Sequence, residues 1–176
     1  MVNSRLFAPA ASFYLASPFA FADWTQPTTA EFTAGLSGGW IVDLTCALNQ
    51  DGTQFDLDDS DTDDSLSFCQ VAGAEEPTFF NATIVYEAFR SFDELDDNTA
   101  TTAFEWLAWP DIEYFAIARV GEEPGTAVGV GDRLKIARVM TDYPVDVYGA
   151  GENVRIQQNF LFQDTAELAW NYEVAA

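Results

Sequence analysis

Histidine is absent from the 176 residues, lysine occurs once, at Lys135, and there are only two cysteines. Without an imidazole the chain cannot build a Ser-His or Cys-His nucleophile pair or a His-ligated metal site, which removes much of hydrolytic and metal-dependent enzymology. Cys46 and Cys69 are too few for a disulfide framework in a chain of this length, and they read as free, buried thiols in a reducing cytoplasm. Basic side chains are scarce as well: 7 Lys and Arg stand against 29 Asp and Glu, a formal net charge of −22. Affinity for nucleic acid comes largely from basic side chains displacing condensed counterions, so a phosphate reader is excluded, and an anionic membrane surface would repel the chain. No uninterrupted apolar run approaches the length that spans a bilayer.

What is present is apolar and aromatic. Hydrophobic residues make up 48% and aromatics 15%, enough for a packed core, and the length suits one domain with arms or long loops. Arg5 followed by the mostly apolar stretch 6–22, ending Ala20-Phe21-Ala22, imitates a secretory signal, but Pro9, Ser12, Ser17 and Pro18 interrupt it. Residues 1–26 are therefore expected to form an N-terminal arm, with one domain over 27–176. Phe7, Phe13, Tyr14, Phe19, Phe21 and Trp24 of that arm are candidate inter-subunit contacts, because an exposed apolar stretch of this size is an association surface.

Along the domain, Pro27 to Phe32 reads as a helical turn, with Thr28 and Glu31 at capping-box spacing and Gly35 as its end. Residues 40–48 are rich in β-branched and aromatic side chains and predict a strand. Residues 49–77 form a long acidic loop, within which positions 56–64 hold six aspartates. A strand is expected over 78–90, and the N-caps offered by Asp96 to Asn98 introduce a helix over 99–108. Strands follow over 112–120, 133–148 and 154–163, the last continuing through 168–174, with residues 121–131 as a hairpin loop. Strands neighbouring strands, with one solid helix and no βαβ rhythm, define an all-β antiparallel sandwich or barrel with a flanking helix.

No constellation carries catalysis. Asp56, Asp58, Asp59, Asp61 and Asp63 are raw material for calcium, yet an EF-hand frame on them lacks both the turn glycine and the final glutamate, so no metal site and no cofactor are assigned. Asp58, Asp61 and Asp63 remain candidates for contact with a neighbouring subunit. Arg133, Lys135, Arg138 and Arg155 form the one basic island. They are either a solvated strand face or docking partners for the acidic loops of the next copy. Trp106, Trp109 and Trp170 read as core aromatics.

The stretch Trp24-Thr25-Gln26-Pro27-Thr28-Thr29-Ala30-Glu31, leading to Gly39-Trp40-Ile41-Val42-Asp43-Leu44-Thr45, resembles the start of the major tail proteins of siphophages. Gly131-Asp132-Arg133-Leu134, Asp142-Tyr143-Pro144, Val154-Arg155-Ile156 and Trp170-Asn171-Tyr172-Glu173-Val174 resemble their end. The resemblance implies a tail-tube β-sandwich with one helix, over 99–108. It further implies a virion protein made in the host cytoplasm whose hexameric rings stack into a tube for genome ejection. Loops and arms would make the ring-to-ring contacts, here residues 49–77 and 1–26. Terminator, tape measure and distal tail proteins would be its other partners, and DNA would pass the lumen without specific binding. Two rival readings are another phage morphogenesis protein, such as a tail terminator or capsid decoration protein, and a secreted calcium-binding β-sandwich.

Overall fold

The computed structural model describes residues 11–57, 61–63, 76–79, 82–90, 99–149, 153–163 and 169–176. They form eleven strands and two helices, in the order β1 (Ala11–Ala16), α1 (Thr29–Gly38), β2 (Ile41–Asp43), β3 (Gln54–Leu57), β4 (Asp61–Asp63), β5 (Glu76–Phe79), β6 (Ala82–Phe89), α2 (Thr99–Leu107), β7 (Glu113–Val120), β8 (Arg133–Thr141), β9 (Val145–Val147), β10 (Arg155–Phe162) and β11 (Ala169–Glu173). Nine strands make one antiparallel sheet in the order β2-β1-β7-β8-β10-β6-β3; β11 joins at β8 and β9 at β10, while β4 and β5 pair as a separate ribbon.

The sheet is strongly curled. In a flat sheet β1 and β6, four steps apart, would be about 19 Å from each other. Instead the rings of Phe13 on β1 and Tyr86 on β6 meet edge to face at 5.7 Å, and the Tyr86 hydroxyl donates to the Ile117 carbonyl on β7 at 3.3 Å. Small side chains permit this approach: Ala116, Ala118 and Ala137 line the concave face that receives Tyr86, Phe160, Ile84 and, from α2, Ala103 and Leu107. Burial pushes the Tyr86 phenol far above its ordinary range.

The opposite face of β1, β7 and β8 carries a second core. Tyr14, Ala16, Phe115, Ile117, Leu134 and Ile136 alternate with the first set along their strands and pack under Phe21, Phe32 and Val174. Strand β7 is consequently buried from Tyr114 to Arg119. Helix α1 holds this lid in place. Its N-cap Thr28 accepts from the Glu31 N–H, the Glu31 carboxylate accepts from the Thr28 N–H, and Phe32 meets Tyr14 and Phe21 at ring distances of 6.0 and 5.2 Å. The chain end closes over it, with Thr29 N–H donating to the Ala175 carbonyl at 3.1 Å.

Several expectations are corrected here. Residues 11–26 are no free arm: β1 sits between β2 and β7 in its own sheet, Tyr14 and Phe21 are buried, and Trp24 stacks on Phe115 at 5.6 Å. Cleavage after Ala22 would tear out this strand. Helix α1 runs past Gly35 to Gly38 and ends on Gly39 at φ 72°, a left-handed position that glycine tolerates. Gly35 instead lets Ile41 pack against the helix, since a Cβ there would lie 2.5 Å from Ile41 Cδ1. The strand expected over 40–48 stops at Asp43, whose carboxylate accepts from the Thr45 N–H and turns the chain. Cys46 falls on that turn and is exposed, while Cys69 lies outside the described residues. Residues 49–77 contain β3, paired with β6, and β4, paired with β5. The expected strand 133–148 breaks at 142–144, and β10 spans the break by pairing with β8 at one end and β9 at the other. The Gln158 amide, donating to the Asp142 carbonyl at 2.7 Å, stitches it. Trp109 is exposed and Trp106 is half-buried on Tyr114, so neither belongs to the buried core.

Candidate assembly surface

Among the described residues the sheet ends on two edge strands. Strand β2 pairs, among those residues, with β1 alone and β3 with β6 alone, so these two strands stand at the ends of the strand order. Such edges are templates for pairing with another chain. Beside β2 the turn Ser17-Pro18-Phe19-Ala20 closes with the Ala20 N–H on the Ser17 carbonyl, and the Ser17 N–H donates to the Trp40 carbonyl at 2.8 Å. This geometry pushes Phe19 outward, 80% exposed, next to a Trp40 that is 53% exposed at the C-terminal end of α1. Strand β9 carries the second exposed group: Tyr143, Val145 and Tyr148 flank or lie on it, and all three are exposed. Tyr148 donates to Asp146, a contact that raises its phenol pKa, and Asp146 pairs with Arg90 at 3.1 Å. Arg90 in turn lies 4.5 Å from the centre of the Phe104 ring.

The basic side chains are mostly engaged within the chain. Arg138 pairs with Glu113 across β8 and β7. Arg155 pairs with Glu87 at 3.2 Å across β10 and β6, and Glu87 also accepts from Asn49 Nδ2 at 2.7 Å. Lys135 is half-buried and Arg133 is exposed. The basic island thus does not form one surface patch: two of its four members are tied to acids of their own sheet.

Arg119 was not among the expected residues, although it interrupts the apolar run of β7. It is 2% exposed, pairs with Asp132 at 2.7 Å and donates to the carbonyls of Thr126 and Ala127 at 2.7 and 3.3 Å. Asp132 also accepts the Gly129 N–H. The pair pins the hairpin loop 121–131, whose glycines at 121, 125 and 131 adopt positive φ. A charge inside a strand of apolar residues was the available signal, but its partner thirteen positions away was not marked by any motif.

Of the other expected contacts, Phe13 is half-buried against the first core, Asp61 and Asp63 lie on β4, and Phe7 and Asp58 lie outside the described residues; of the remaining calcium candidates, Asp56 is exposed on β3 and Asp59 lies outside the described residues. Among the described residues no three acids or cysteines gather where they could hold a metal ion. A cavity of about 300 Å³ is lined by Ala11, Phe13, Thr45, Leu48, Gln50, Thr53 and Pro124, none of which is ionisable.

A curled antiparallel sheet with two cores, edge strands at both ends of its strand order and exposed aromatic side chains defines the class as an all-β protein, in which the Arg119–Asp132 pair holds a hairpin loop. A model of the phage tail tube protein family matches residues 11–174, and the chain belongs to that family. A search among curated proteins finds no significant match. The protein is thus a structural component of the phage tail.

Proposed function

We propose that copies of this chain close into hexameric rings that stack into the tail tube of a siphophage-type virion, the conduit through which the genome leaves the capsid. The observation that carries this reading is that, among the described residues, the strand order of one sheet ends on two edge strands, β2 and β3. Edges at both ends make a head-to-tail contact possible, and such a contact generates a ring when its rotation closes. The exposed aromatic side chains beside β2 and β9 supply apolar area, and the β4–β5 ribbon, rather than a free N-terminal arm, is the better candidate for reaching the next ring. A net charge of −22 on each subunit favours free passage of DNA, since acidic walls repel phosphates. Terminator, tape measure and distal tail proteins would meet the tube at its ends.

Negative-stain electron microscopy with mass photometry, over a concentration series, tests the reading. Tubes or stacked rings with an open lumen are the expected outcome. Rings that never stack would favour a terminator, and a monomer at every concentration would end the proposal.

A further inference from the structure

We infer that copies of this chain join by apolar contact with a net uptake of cations from solution, and that its basic side chains do not dock onto the acidic surface of the neighbour. The inference rests on the tube reading for there being copies to join, but it concerns what drives the joining.

Each copy carries −22, so every contact brings like charges together. One way to offset this is complementary docking, in which bases of one copy meet acids of the next. The ion pairs leave little for it. Arg90 is held by Asp146, Arg119 by Asp132, Arg138 by Glu113 and Arg155 by Glu87. Moving any of these to a neighbour's acid would strand the acid it now neutralises, and for Arg119 and Glu87 that acid or base is buried, where an unpaired charge is costly. Lys135 is half-buried and has an interaction of its own. Among the described bases Arg133 is the exposed one outside these four pairs, beside the mouth of the hairpin loop, and Arg5 lies outside the described residues.

The acids are disposed differently. Asp23, Asp51, Asp56, Glu105, Glu122 and Glu123 are all exposed. The surface therefore offers exposed aromatic side chains at Phe19, Trp40, Tyr143 and Tyr148 together with an excess of exposed acids, which solvent cations neutralise. Confining that field between copies raises the local potential, and cations must accumulate as contacts form. Mass action then makes assembly strengthen with salt, the reverse of what ion-pair docking would give, because salt weakens attraction between exposed opposite charges.

The test uses the full chain. Its critical concentration for assembly would be measured by light scattering and sedimentation between about 20 mM and about 300 mM NaCl, a range over which the Debye length falls from roughly 20 Å to under 10 Å. The critical concentration is expected to fall about tenfold or more. One that stays level or rises would overturn the inference while leaving the tube reading intact, whereas no assembly at any salt concentration would overturn both. Arg133→Gln, at an exposed position where folding is undisturbed, is the second arm. It should keep the critical concentration within about twofold of the parent, as surface charge changes usually do, and a larger loss would restore docking by this base.

Discussion

The three central strands and the rims of the same sheet have opposite surfaces. Along β1, β7 and β8, both faces are covered and even an arginine is buried. At the rims, phenylalanine, tryptophan and tyrosine are exposed beside carboxylates. Ordinary monomers reverse the second half of this arrangement and keep large aromatic side chains off their edges. On the proposed assembly the difference separates two roles: the centre carries the stability of the subunit, and the rims carry area for another copy to cover. Substitutions should therefore divide cleanly between those that unfold the subunit and those that leave it folded but unable to assemble.

The largest effect is expected at the centre. Arg119→Ala leaves Asp132 without its cation and two hairpin carbonyls without their donor; breaking a fully buried pair from one side costs about 3–5 kcal/mol, and the partial exposure of Asp132 puts this loss toward about 3 kcal/mol. Urea denaturation followed by tryptophan fluorescence would register this as a marked fall in midpoint. A fall no larger than that of an exposed arginine would mean that the hairpin is held by something else.

Next comes the seam between α1 and the sheet. Gly35→Ala places a methyl group on Ile41, an overpacking expected to cost about 1–3 kcal/mol. Calorimetry should show a lower Tm for this variant, while Gly38→Ala, at the exposed end of the same helix, should shift it less. Equal shifts would mean that helix propensity and not the Ile41 contact sets the requirement.

These two sites also show what could be read in advance. The capping box of Thr28 and Glu31 was legible because its hydrogen bonds run over three residues, and α2 was placed to within one residue because its apolar spacing and the Trp109-Pro110 stop are local. Strand β10 followed from its alternation, and β7 and the first part of β8 from apolar, β-branched runs that are local in the same way. What escaped was non-local. Ala11–Ala16 looked like an arm because its partner, β7, lies about a hundred residues on. The acidic stretch 49–77 looked like a loop because aspartate disfavours strands, yet β6 supplies β3 with a ladder regardless. The candidate contacts divided likewise: Phe19 and Arg133 are exposed, but Tyr14 and Phe21 are core residues, and no apolar pattern distinguishes an aromatic residue that will be covered by its own chain from one left for a neighbour.

Glu31 gives a smaller effect with a pH signature. Partial burial pushes its carboxyl pKa up, but hydrogen bonds from the Ala22 N–H and from the hydroxyl and N–H of Thr28 outweigh it, and the net shift is downward. A carboxylate whose folded pKa is depressed stabilises the fold above its unfolded pKa, and loses that contribution as pH falls through the folded one. Thr28→Ala should cost about 1 kcal/mol at neutral pH. The gap to the parent should narrow as pH drops below the ordinary glutamate range. A gap that is the same at pH 7 and at acid pH would show that the hydroxyl caps the helix without help from the charge.

The smallest change in stability should come with the largest change in association. Phe19 is 80% exposed and Tyr148 is 70% exposed, so Phe19→Ser and Tyr148→Ser remove almost no buried area and should move the denaturation midpoint by no more than about 0.5 kcal/mol. If these rings are covered by the next copy, each loses the contact area of an aromatic side chain on assembly, worth about 1.5–3 kcal/mol when fully buried. That corresponds to a critical concentration raised roughly tenfold to a hundredfold. Sedimentation of each variant beside its denaturation curve reads both quantities on one preparation. A variant that assembles like the parent would remove that ring from the interface, and loss of assembly with Phe19→Ser but not Tyr148→Ser would place the contact on the β2 rim, where an edge strand lies.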